Sequence, residues 1–369
     1  MIKEYDWTMV FFLSLIPILG LIGVPIYTYY NGLVWQEPVM MLIGWWIAGM
    51  GITFGYHRLY AHRSFQAHPV IQFLAMLCGT AALQNSILKW SSDHRIHHNK
   101  LDTDADPYSI KNGFFYAHMG WILDKKSLPI QGVHDLKKNP IVQFQYKYYW
   151  PLAIFLSFIF PMVIGSLYGR PLGGLLWGGF LRMTFVHHFT FFINSLCHYA
   201  GKRPFEPFST ARDSWWVAFF TFGEGFHNFH HKFQWDYRNG IRWYDFDPGK
   251  WSIKFLSFFG LTSNIRKVED YKILNAKMLG LKTKIKSHYL SIPENIKSQL
   301  EEINNQAKEI YDSWHELEQK YKLMKDAKID RIQNRIIKQK RKLFKKEYIE
   351  ALKTLSIILF SIQNANFKV

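Results

Sequence analysis

The sequence predicts an all-α integral membrane protein: four membrane-crossing helices followed by a basic helical C-terminal extension. Three observations carry that expectation. Several uncharged apolar runs reach the length of a bilayer core. Aromatic residues make up 18% of the chain, a density suited to a lipid–water boundary. The C-terminal part is Lys-rich and has no uncharged run of membrane length.

The first run, residues 8–30, carries no charge and exceeds the roughly 20 residues that span a bilayer as helix. Pro17 and Pro25 kink it at most. It is long for the apolar core of a signal peptide and lacks a clean small-residue cleavage site. A short Tyr30-Asn31-Gly32 turn precedes the second run, 38–56, and the third covers 148–167. The Gly169-Arg170-Pro171 turn leads into the fourth, 172–196.

Residues 70–88 are also apolar, but histidine clusters flank them at 57–62 and 94–98. One crossing would put those clusters on opposite faces of the membrane. The segment is therefore expected to pack in or along the membrane without traversing it, with Gln84 and Asn85 turned toward a protein pocket.

Loop charges set the orientation. Residues 30–37 carry no Lys or Arg, and 169–171 carry only Arg170. Residues 89–147 carry Lys89, Arg95, Lys100, Lys111, Lys125, Lys126, Lys137, Lys138 and Lys147, which makes this face cytoplasmic. Both termini and the histidine clusters then share the cytoplasmic side of a multi-pass protein, in a bacterial inner membrane or the endoplasmic reticulum.

We divide the chain into a membrane domain, 1–263, and an extension, 264–369. Residues 266–369 hold 23 Lys and Arg against 13 Asp and Glu, most of the net charge of +17. Ile296, Leu300, Ile303, Ala307, Ile310, Trp314, Leu317, Tyr321 and Met324 alternate in steps of four and three, a heptad seam. A long helix is expected to pair through it with itself, with another chain or with the enzyme body. The remaining basic residues, including 338–342 and Lys345-Lys346, suit anionic headgroups or a solvated face. Nothing in the tail resembles a base-reading motif, so no nucleic acid partner is expected.

Chemistry concentrates in three histidine boxes: His57-Arg58-Leu59-Tyr60-Ala61-His62, His94-Arg95-Ile96-His97-His98, and His227-Asn228-Phe229-His230-His231. His198 closes the fourth run. Residues three or four apart share a helix face, so His94 with His97 or His98, and His227 with His230 or His231, can address one ion. Adjacent His97 and His98 diverge by about 100°, so one can face each of two metals. Nine imidazoles are too many for one ion and suit two. Iron with a position open to O2 fits better than structural zinc, which favours closed sites with Cys. The two cysteines, Cys78 and Cys197, lie in apolar runs and are expected to be buried thiols.

Asp93, Asp106 and Glu224, with Asp102 and Asp104, are candidates to accept the second N–H of metal-bound imidazoles. His68, His118, His134, His288 and His315 are expected to be ordinary surface or packing residues, and His187 and His188 to hydrogen-bond inside the bundle.

At these residues the sequence resembles the membrane acyl-CoA desaturases, the Δ9 (stearoyl-CoA) type in particular, from the first run to about Trp251. Besides the boxes, the resemblance is carried by Ala105-Asp106-Pro107, Gly113-Phe114-Phe115, His118-Met119-Gly120-Trp121, Asn194-Ser195-Leu196-Cys197-His198, Gly223-Glu224-Gly225-Phe226 and the run 236–244. It implies a four-helix membrane stem under a cytosolic helical cap. It implies two irons held by His57, His62, His94, His97, His98, His198, His227, His230 and His231, with Asn194 reaching the tenth position through water. It implies a kinked acyl tunnel whose bend matches Gln84, Trp90 and Thr190, beside Asn85; Phe191 stands where the family commonly has Trp. Where animal members place Arg to hold CoA phosphates, this chain has Ser92 and Lys111-Asn112.

The implied activity is O2-dependent desaturation of a long saturated fatty acyl chain, with CoA thioester first among carriers. A saturated C–H bond offers nothing for side chains to exploit, so a cofactor must carry the reaction. No flavin, dinucleotide or His-Pro-Gly-Gly haem fingerprint occurs, so a separate ferredoxin, rubredoxin or cytochrome b5 is the expected electron donor. The rival readings are a membrane di-iron hydroxylase and a metal-binding transporter or sensor. The first two runs offer the latter almost no polar groups.

Overall fold

The computed structural model describes residues 4–125, 128–286, 292–325 and 331–365, the side chains of 324, 325, 331 and 365 excepted. Lys126, His288 and the Met324 side chain, named above, lie outside the described residues. The described residues are all-α apart from one two-residue antiparallel pair, Gln66–Ala67 with Thr262–Ser263, and a few isolated bridges. It divides into two compact units, Met1–Lys202 with Ser209–Lys267, and Arg203–Phe208 with Val268–Val369.

Among the described residues of the first unit three helices are long and apolar enough to cross a membrane: α1 (Trp7–Asn31), α2 (Gln36–Ala61) and, further along, Tyr149–Ser166. Only 22% of the apolar window of α1 is buried, so Phe11, Leu21 and Ile22 are left facing outward, as a lipid surface requires. The next helices are α3 (Pro69–Thr80), α4 (Ile87–Lys100), α5 (Phe114–His118) and α6 (Pro140–Lys147). Then come α7 (Tyr149–Ser166), α8 (residues 171–199), α9 (Trp215–Phe220), α10 (His227–Lys232) and α11 (Pro248–Phe258).

The fourth expected span, α8, is one continuous helix packed on α1, α2 and α7. It is not among the three that qualify by composition, because Arg182, His187 and His188 interrupt its apolar run. The α1–α2 and α7–α8 turns need positive φ at Gly32 (70°) and Gly169 (75°). Arg170 ties these turns together. It donates to the Asn31 and Gly32 carbonyls at 2.8 and 2.7 Å and meets the fully buried Glu37 carboxylate at 2.9 Å. The opposite ends of α2 and α8 carry His57 and His198.

Residues 70–88 form a helical hairpin rather than one long helix. At 12 residues, α3 is about 18 Å long, too short to cross, and the chain turns back into α4. Polar side chains satisfy the orphan carbonyls at its end. Arg182 and Ser157 donate to the Ala81 carbonyl at 2.8 and 3.1 Å, and His187 Nε2 meets the Ala82 carbonyl at 2.9 Å. Across the turn, the Asn85 N–H donates to the Tyr149 hydroxyl at 2.8 Å and the Ile87 N–H to Gln145 Oε1 at 3.1 Å. The hairpin lies directly on α2, where Gly51 faces Gly79 backbone to backbone.

The second unit is not one long paired helix. It comprises α12 (Asp270–Lys286), α13 (Glu294–Lys325) and α14 (Arg331–Ala365) around its own core. The seam of α13, with Leu300, Ala307 and Trp314 buried, packs on α12 and α14 of the same chain. Arg203–Phe208 joins this unit through tertiary contact, with Lys277 over the Phe205 ring at 5.3 Å. No sequence pattern marks that excursion.

A side chain at Gly51 would collide with the Gly79 and Cys78 backbone. Gly51→Ala is therefore expected to destabilise the detergent-solubilised protein by about 1–3 kcal/mol, read as a lower melting temperature. An unchanged melt would show that the hairpin is not wedged against α2.

Candidate metal centre

The site is assembled where α2, α4, α8 and α10 meet. On an α-helix the five-residue step from His57 to His62 would set the side chains about 140° apart. The last turns of α2 are wider: the His62 N–H donates to the His57 carbonyl, five residues back, at 2.9 Å. That π-helical stretch brings the two rings to 4.6 Å.

The nine histidines of the boxes and His198 form two groups. One is His57, His62, His94, His98 and His230; the other is His97, His198, His227 and His231. Within each group the potential ligand atoms lie within 4.8 Å of one another. Each of the later boxes gives its four-apart pair, 94/98 or 227/231, to one group. The histidine between, His97 or His230, goes to the other.

Metal ions fit these residues better than hydrogen bonds do. A ring nitrogen either donates one bond or accepts one. Yet His230 Nε2 lies 3.0 Å from both His57 Nε2 and His98 Nε2, and His227 Nε2 lies 3.0 Å from both His198 Nε2 and His231 Nε2. His97 Nε2 is buried with no hydrogen-bond partner. Two imidazole nitrogens bound about 2.1 Å from one ion at a right angle stand about 3.0 Å apart, the spacing seen here. Burial, reinforced by neighbouring imidazoles, holds His62, His94, His97, His98, His227, His230 and His231 below the ordinary histidine pKa. They are neutral, as ligation requires.

The outer nitrogens are held in turn. His97 Nδ1 donates to Asp106 at 2.8 Å, and His57 Nδ1 faces Glu224 Oε2 at 3.0 Å. His94 Nδ1 meets the Tyr108 hydroxyl at 3.3 Å. His198 Nδ1 donates to the Thr210 hydroxyl at 2.8 Å, which donates to Asp102 at 2.6 Å. Sequence reasoning missed Thr210 and Tyr108, since only the folded chain brings them to a histidine.

The Asp93 carboxylate takes the Lys89 ammonium at 2.7 Å, one helical turn away. Asp104 is exposed. Glu224 sits at the centre of a buried network. It accepts from the Thr53 hydroxyl, from Arg58 at 3.2 Å and from Asn239 at 2.7 Å, and Arg58 also pairs with the fully buried Asp247 at 2.7 Å.

Burial alone raises the Glu224 carboxyl, but His57, Arg58 and Thr53 outweigh it and hold the group at about 2. Asp106 has no such cation, and burial pushes it up to about 7. Because the Glu224 pKa is depressed on folding, its contribution to stability is complete above the ordinary carboxylate range and lost as pH falls toward 2.

Of the expected tunnel residues, Trp90 stacks on His94, ring centroids 4.8 Å apart. Gln84 at the hairpin tip donates to the Thr190 hydroxyl at 2.9 Å, while Asn85 is engaged with Tyr149. Phe191 is buried, its ring 5.6 Å from both His187 and His118. Asn194 is half-buried, one helical turn before His198 on the same face.

The remaining described histidines have other partners or none at a metal group. His118 links Ser195 and His188 at 3.0 Å each, and His315 meets the Tyr271 hydroxyl at 3.0 Å. His68 caps α3, and His134 is exposed.

Apolar helices that end in two histidine-rich metal-binding clusters, consistent with a di-iron site, define a class of membrane metalloprotein. The chain matches the fatty acid desaturase family over residues 33–254 and belongs to it. It is 40% identical over 290 residues to the probable acyl-CoA desaturase of Schizosaccharomyces pombe and 36% identical over 288 residues to acyl-CoA desaturase 1 of Saccharomyces cerevisiae. Each alignment covers 74% of this chain but only 59% and 56% of those proteins. It is also 37% identical over 241 residues to the sn-1 stearoyl-lipid 9-desaturase of Anabaena variabilis, covering 63% of this chain and 85% of that one.

Thr210→Val removes the link from His198 to Asp102. It is expected to weaken iron retention about 10-fold, read as residual iron by plasma mass spectrometry after graded chelator treatment. Glu224→Ala leaves Arg58 paired with Asp247 but removes the buried acceptor of Thr53, Arg58 and Asn239; it should cost about 1–3 kcal/mol, seen as a lower melting temperature. Wild-type iron retention in Thr210→Val would remove Thr210 from the site.

Proposed function

We propose that this protein carries out O2-dependent desaturation of a long saturated fatty acyl chain, presented as a CoA thioester, with the double bond introduced at the Δ9 position. The observation that carries this reading is the pair of histidine groups, five and four, built at one end of the apolar helices of a desaturase-family chain. In this reading His57, His62, His94, His98 and His230 hold one iron, and His97, His198, His227 and His231 hold the other. Asn194, one turn from His198, completes the smaller group through water.

Bound there, the two irons supply the oxidation that removes two hydrogens from adjacent methylenes, with O2 taken to water by two electrons and two protons from outside. The protein supplies position. Glu224, Asp106 and Thr210 fix ring orientation, and the Gln84–Thr190 contact at the hairpin tip with Trp90 against His94 shapes the acyl path beside the metals.

In this reading α8 is a fourth crossing, both termini are cytoplasmic, and residues 1–263 form the catalytic domain. The electron donor is a separate ferredoxin, rubredoxin or cytochrome b5 drawn to a basic face. Ser92 is tied to the Gln131 backbone at 2.9 Å, and Lys111 donates to the Asp102 carbonyl. The head group is therefore held by fewer phosphate contacts than Arg at both positions would give.

The test is fatty acid analysis by gas chromatography–mass spectrometry in a desaturase-deficient host expressing wild type or His97→Ala. New Δ9 monounsaturated acids are expected in the wild type alone. A hydroxylated product would replace the reading with hydroxylation. No product from iron-loaded protein with a competent donor would end it.

A further inference from the structure

The extension contains a helix with two apolar faces, only one of which its own fold uses. On α14, Ile337, Tyr348, Leu352, Leu355 and Leu359 are buried in the core shared with α12 and α13. Roughly opposite them, Ile332, Ile336, Leu343 and Ile357 fall within about 60° of one another on the helical wheel. These four are 66%, 47%, 52% and 65% exposed, where a solvated helix would carry polar residues. Cations flank the ridge, Arg335, Lys342, Lys346 and Lys353 on one side and Lys340 on the other, while Glu350 stands on the ridge itself between Leu343 and Ile357.

Residues 331–346 contain eight Lys and Arg and no acid. Two of the eight are used internally, Arg341 with Glu318 and Lys345 with Asp270. Arg335, Lys338, Lys340, Lys342 and Lys346 stay exposed.

We infer that this face of α14 is a docking surface for an anionic lipid bilayer, with the ridge of Ile332, Ile336, Leu343 and Ile357 entering the headgroup boundary and the flanking Lys and Arg meeting lipid phosphates. The charge selects the occupant. A second copy would bring the same basic residues face to face, whereas an anionic surface is complementary to residues 331–346, where Arg335, Lys338, Lys340, Lys342 and Lys346 are exposed. The same chain carries the apolar helices, and this covalent linkage raises the effective concentration of a bilayer they enter, so a weak individual affinity suffices. The inference rests on the membrane reading above but not on desaturation.

The full chain carrying Gln339→Cys, a position on the ridge, is labelled with an environment-sensitive fluorophore and placed in nanodiscs of neutral or anionic lipid. Unsubstituted protein supplies the background from Cys78 and Cys197. A blue-shifted emission is expected in anionic discs only, reversed by high salt. It should be lost in a second variant with Lys338, Lys340, Lys342 and Lys346→Glu, because reversing four charges weakens the partition by about 10²-fold or more. Unchanged helicity and melting of that variant show that it folds.

Identical emission in both lipids would overturn the inference. So would a shift that needs an added acidic redox protein, or one that grows with protein concentration in detergent; these would assign the face to a carrier or to a second copy. Fatty acid product is measured separately, so a failure here and a failure of the desaturase reading are distinguishable.

Discussion

The structure depends on one demand: nine imidazoles from four separate segments must converge in two tight groups. No single helix can do that. His57 and His62 come from the end of α2, His94, His97 and His98 from α4, His198 from the end of α8, and the remaining three from α10. Each element must end or turn back at the same end of the bundle. Crowded imidazoles repel once protonated, and metal ligation requires them unprotonated.

Much of the remaining polar architecture positions those rings. The network of Glu224, Arg58, Asp247 and Asn239 has almost no solvent access and binds the end of α2 to the chain around α10 and α11. A buried charge pair gives little net stability against an apolar alternative, and its cost is accepted where geometry must be unique. The α3–α4 hairpin follows the same logic. Its tip would leave carbonyls unpaired in a nonpolar setting, and Arg182, Ser157 and His187 supply the missing donors. Two groups that are expensive to bury, a cation and a histidine, thereby fix the element that delivers three of the nine histidines.

The family match ends at residue 254, and the extension follows a different design. Its three helices make their own core, so the heptad seam of α13 is consumed within the chain. Charge is distributed unevenly across them. Acidic residues predominate slightly on α13, while α14 is strongly basic and keeps a second apolar ridge outside the core.

The sequence by itself determined the apolar runs, the three boxes, His198 and the family they resemble, because these depend on local composition and on residue spacing within one segment. It also required that residues 70–88 not cross, since two histidine clusters had to stay on one face. Tertiary structure decided what depends on pairing between distant segments. His97 and His230 exchange groups, because four-apart residues on a helix face one way and the residue between them faces another. The five-residue step of the first box works only through a widened helical turn, which spacing does not reveal. Thr210 and Tyr108 reach histidines only because folding brings separate stretches of chain together, whereas Asp93 and Lys89 meet locally, one helical turn apart on α4. Residues 203–208 join the extension for the same reason: contact across the chain leaves no periodic trace in the sequence.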